Sequence, residues 1–134
     1  MSAIEELAAR CEAVEAGYEF MLAYAGQGLP VEPAGSATGG IRDFLQKLDA
    51  ALTGLGDQFR AAVREQGLEP SSRYEAFLGV LDRDGRDAQA AVQLALAQPS
   101  ISSQLDDNLN ASIHLRALLT DLFLVDEIIK MYVH

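Results

Sequence analysis

Along nearly the whole chain apolar residues recur at alternating three- and four-residue steps, the spacing that keeps one face of an α-helix hydrophobic. In the C-terminal third, Ala111, Leu115, Leu118, Leu122, Val125, Ile129 and Tyr132 form one such stripe. A second set, including Leu119, Phe123, Leu124, Ile128 and Met131, lies outside it, so the last turns are apolar around most of their circumference. A helix of that kind is central to a fold or shared between subunits. The pattern predicts a helix over about 101–133. Pro99 stops what precedes it, Ser100, Ser102 and Ser103 offer N-cap hydroxyls, and Asp106 and Asp107 lie where the helix dipole favours negative charge.

The same spacing predicts three earlier helices. The first, over about 3–25, carries Ile4, Leu7, Cys11, Val14, Tyr18, Met21 and Ala25, with Ser2 as its N-cap. The second, over about 41–66, carries Ile41, Leu45, Leu48, Leu52, Leu55, Phe59 and Ala62. Gly54 and Gly56 each cost about 1 kcal/mol against alanine in mid-helix, so packing outweighs them or the helix kinks there. Gly67 and Pro70 end this segment. The third helix, over about 73–97, presents Tyr74, Phe77, Leu78, Leu81, Gly85, Ala88, Val92 and Ala95, a face that is small in its middle. Alternating β-branched runs are absent, which leaves nothing from which to build strands.

Four amphipathic segments with short loops between the last three describe an all-α, single-domain four-helix bundle in which helices 2, 3 and 4 run antiparallel. Residues 26–40 are the one long connection, expected to be a surface loop, with a lid or docking segment as the alternative. About fifteen extended residues reach roughly 50 Å, more than a helix of about 23 residues spans. A turn and a crossover therefore both fit.

Length, charge and cysteine content narrow the function classes. At 134 residues the chain buries a core that needs no disulfide or metal. Cys11 is its single cysteine, and MSAIEELAAR shows no basic-plus-apolar signal pattern, so the expected compartment is the cytoplasm. A net charge of −10 repels nucleic acid and anionic membrane surfaces. Asp121, Asp126, Glu127 and Lys130 interrupt the last helix too often for it to cross a bilayer.

One polar constellation stands out. At about 100° per residue, Asp107, Asn110, His114 and Asp121 project inside the apolar arc of the last helix, and Glu15 does so on the first. Counting back from the turns places Glu15 and His114 near mid-bundle beside the small pair Gly85 and Ala88, with Asp121 about two turns from His114. Buried carboxylates and imidazoles cost several kcal/mol without partners. These groups are therefore expected to hold register with one another, to face a solvated groove, or to bind a metal ion or small molecule over Gly85 and Ala88.

Sharper chemistries lack their residues. No Glu-x-x-His pair for a di-iron centre and no Cys-x-x-Cys-His for covalent haem is present. Asp82 to Asp87 resembles the start of a calcium loop, but Gln93 stands where the bidentate glutamate belongs. Met21 and His114 are formally a haem ligand pair, yet a methionine at helical spacing is ordinarily core. Cys11 has no neighbouring cation to activate it. No catalytic residue or cofactor is named by any motif. The expectation is a non-catalytic binding protein, a homodimer or larger homo-oligomer or an adaptor for another protein, acting through Leu119, Phe123, Leu124, Ile128 and Met131. The alternative is a metal-ion or small-ligand site at Glu15, His114 and Asp121.

Overall fold

Ser2 begins the first helix through a capping box: its hydroxyl accepts from the Glu5 N–H, and the Glu5 carboxylate accepts from the Ser2 N–H. From there the computed structural model, which describes residues 1–34 and 39–132, is helical throughout, with no strand among those residues. The elements are α1 (Ala3–Gly26), α2 (Ile41–Leu52), α3 (Leu55–Gln66), α4 (Ser71–Leu96), α5 (Ser103–Ala111) and α6 (Ile113–Ile129).

Among the described residues the fold is thus a helical bundle of six helices, where the periodicity predicted four. Each of the two extra ends has a local cause. The segment expected to be continuous over 41–66 breaks at Thr53 and Gly54, where Gly54 takes the left-handed conformation (φ 67°) that side chains disfavour. The broken end is covered from outside the segment: Arg10 of α1 donates to the carbonyls of Ala51 and Thr53, and Gln89 of α4 donates to the Asp49 carbonyl and the Thr53 hydroxyl. Carbonyls that the helix cannot satisfy itself find partners there. The segment expected over 101–133 breaks at Ser112, an extended residue (ψ 134°) whose hydroxyl accepts from the His114 N–H to start α6. The last two residues of that predicted helix, Val133 and His134, lie outside the described residues.

The two long helices, α1 and α4, each pack against all four short ones. The direction of each pair follows from a few contacts. Phe20 near the end of α1 stacks on Phe44 near the start of α2, with ring centroids 4.0 Å apart. At the other end the Ala3 N–H donates to Glu65 at the end of α3. Helix α1 therefore runs antiparallel to α2 and α3, and the end of α1 and the start of α2 lie at the same end of the bundle. The described part of the connection over 26–40 is fastened down: Glu32 pairs with Arg42 at 2.6 Å and accepts from the Ile101 N–H, while the Glu32 N–H donates to the Ser100 hydroxyl. Leu29 and Ser103 exchange hydrogen bonds beside it. This part of the connection ties the α1 end to the α4–α5 junction.

The core is continuous from Leu7, Val14 and Met21 of α1 through Leu45 and Leu48 of α2 to Leu81 and Val92 of α4 and Leu115, Leu118 and Val125 of α6. Each such side chain contributes about 1.5–3 kcal/mol by leaving water. Among the described residues no helix is long and apolar enough to cross a membrane.

Candidate functional site

Four helix ends meet at the pole of the bundle opposite the 26–40 connection: the start of α1, the end of α3, the start of α4 and the end of α6. Gly67, in the left-handed conformation (φ 59°), terminates α3, and Leu68 turns inward beneath the end. The four ends do not close completely. They leave an apolar cavity of about 320 Å³ walled by Ile4 and Leu7 of α1, Phe59 and Ala62 of α3, Tyr74 and Phe77 of α4, and Leu124, Val125, Ile128 and Ile129 of α6. Phe59 makes an edge contact with Phe77, centroids 6.2 Å apart, and a tilted one with Tyr74 at 6.4 Å.

One residue of the cavity wall, Leu124, belongs to a group of exposed apolar residues at the end of α6. Leu124 is 53% exposed, its neighbour Phe123 is 50% exposed, and Met131 just beyond the helix is 67% exposed. Of the five residues that the sequence nominates as an interface, Leu119 is instead buried in this chain's own core, and Ile128 is half-buried against the cavity. The mouth of the cavity carries two charged side chains, Glu69 and Arg73. Glu69 accepts from the Ser71 N–H at the start of α4.

The polar constellation expected at mid-bundle is dispersed. His114 is exposed in the first turn of α6, because the break at Ser112 resets the helical phase that pointed it inward. Glu15 is half-buried on α1, and no hydrogen bond or ion pair joins it to His114 or Asp121 among the described residues. Nor, among those residues, does any group of three His, Cys, Asp or Glu side chains come together so as to hold a metal ion. Gly85 and Ala88 are buried as their small size predicts, but Leu55 and Leu118 occupy the space over Gly85. A polar cleft of about 200 Å³ at the α2–α3 break touches Gly85 and does not reach Ala88.

Asp121 meets a residue that the sequence did not single out for it. Across the α4–α6 seam it pairs with Asp84, and burial followed by the second carboxyl pushes its pKa up to about 7. Two acids side by side hold a shared proton more easily than two charges. On α5, Asp106 is fully buried and Asn110 nearly so, while Asp107 is exposed. Neither carboxyl oxygen of Asp106 meets a hydrogen-bond donor among the described residues. Burial first, and Asp107 second, raise its pKa to about 7. The helical projection had given that inward position to Asp107, one residue away. Cys11 is buried, and its thiol is pushed up to about 12 by burial and by Asp126, Glu15 and Glu12, which leaves it un-ionised and a poor nucleophile.

Compared with known protein families, with curated proteins and with solved structures, the chain finds no match.

Proposed function

We propose that the protein is a non-catalytic binding module that pairs with a second copy of itself through the apolar face at the end of α6. The observation that supports this reading is the exposure of Phe123, Leu124 and Met131 at the end of α6, each half exposed or more, with Leu124 also lining an open apolar cavity. Contiguous exposed apolar surface rimmed by polar groups marks an interaction site more often than an idle surface. An exposed apolar face also suits a twofold contact, in which each copy offers the same patch to its counterpart. Nothing favours the alternative of a mid-core metal or ligand centre, since His114 lies in solvent and Asp121 faces Asp84.

Multi-angle light scattering at high micromolar concentration tests the reading. A dimer is expected for the wild type, with Phe123→Glu and Met131→Glu shifting it to monomer while circular dichroism stays helical. A wild type that is monomeric throughout removes this function.

A further inference from the structure

We propose that the cavity at the pole of the bundle is a binding site for a small amphiphile with an apolar body and an anionic head, the body lying among Leu7, Phe59, Phe77 and Ile128 and the head against Arg73. The site goes beyond self-association, because every wall comes from one chain.

The size sets the class of ligand. Apolar cavities of about 150 Å³ stay dry and accept one benzene, and ligand sites begin at about 300 Å³. A space of about 320 Å³ therefore suits a body of roughly two rings or a medium-length acyl chain. The lining sets its polarity. The side chains that carry unpartnered buried polar atoms, Arg10, Asp106, Asn110 and Asp121, all lie outside this cavity. Apart from the Tyr74 hydroxyl its inner wall is apolar, so an apolar body finds few polar groups there to compete with.

The mouth sets the head group. Arg73 stands there with no hydrogen bond or ion pair to its guanidinium among the described residues; Arg64, Arg83 and Arg116 share that condition, but of the four only Arg73 borders this cavity. Arg73 also sits in the first turn of α4, where the helix dipole disfavours a cation, and no acidic residue shares that turn. The other charge at the mouth, Glu69, is turned onto the Ser71 N–H. A carboxylate at the end of the ligand would be the acidic partner that the Arg73 guanidinium does not find in Glu69, and would take a charge-assisted hydrogen bond from it.

The test is isothermal titration calorimetry with decanoate below its micellar concentration, beside decanol and decyltrimethylammonium. Expected is saturable binding of one decanoate per chain, at least about tenfold tighter than either of the other two. Arg73→Gln is expected to cost decanoate about tenfold and leave decanol unchanged. Ile128→Trp fills the space and is expected to abolish both. In case that variant misfolds, methyl spectra of the wild type carry the same question: decanoate should shift Leu7, Leu124, Val125, Ile128 and Ile129. Absence of saturable binding, equal affinity for the three head groups, an unchanged Arg73→Gln, or methyl shifts elsewhere would each overturn the site. Light scattering on the same samples reports self-association separately, so a monomeric wild type that still binds decanoate removes the dimer and supports this site.

Discussion

Asp106 shows at the scale of one residue how a helix of mixed polarity can carry a hidden cost. Its carboxyl is buried without a donor among the described residues, and burial, followed by Asp107, raises its pKa to about 7 from an ordinary 3.8. Between those values the native chain keeps a proton that the unfolded chain has released. The group's contribution is therefore small near pH 4, and stability falls as pH rises from about 4 to about 7, above which the loss stays constant. Asp106→Asn is expected to leave stability nearly unchanged near pH 4 and to raise it by about 2–4 kcal/mol near pH 8, by urea denaturation at the two pH values. A loss near pH 8 would show that the ionised carboxylate has a partner. His114 makes the opposite case: being exposed, it should tolerate His114→Leu within about 0.5 kcal/mol. Both residues are visible in the sequence as polar groups on an apolar helix, but their facing was legible only if the helix stayed unbroken. One extended residue at Ser112 was enough to turn His114 out, and a one-residue error of phase exchanged Asp106 with Asp107.

Element ends decide more in this protein than element interiors do. Gly54 supplies the positive φ that separates α2 from α3, and Gly56 lets α4 approach: a Cβ there would lie 2.5 Å from the Asp82 carboxylate and 2.9 Å from the Asp82 Cβ. Because the second contact is to a side-chain root, the helices themselves would have to part. Gly56→Ala is expected to cost about 1–3 kcal/mol and Gly54→Ala about 1–2 kcal/mol, read from thermal or urea unfolding. Ser112→Ala removes the hydroxyl that starts α6 and should cost about 1 kcal/mol. If that variant were more stable than the wild type, the break would be a strain imposed on a continuous helix. The two glycines were legible as either packed or kinked, and propensity alone had no means to choose. The deciding partners, Arg10, Asp82 and Gln89, are remote in the chain.

For the whole molecule, the net charge of −10 and the apolar strip on α6 oppose one another in self-association. Raising sodium chloride from about 0.05 to 0.5 M shortens the range of like-charge repulsion to a few ångström and leaves apolar burial intact. The proposed dimer is therefore expected to tighten with salt, measured as the dissociation constant by sedimentation equilibrium. A dimer that weakens would show that ion pairs hold it together instead of Phe123 and Met131.

The sequence by itself determined the class of fold: periodic apolar positions at helical spacing can be buried in only one way, as helices laid side by side, and the chain's glycines, prolines and serines mark most of their ends. It also determined that the end of α6 is too apolar to be wholly hidden, since a stripe wider than one face cannot be covered by neighbours on one side. What only the tertiary structure decided is where those helices break, which acids share a seam, and that an open cavity lies beneath α6. Each of these depends on contacts between residues far apart in the chain, and helical periodicity records the direction of a side chain without recording what stands opposite it.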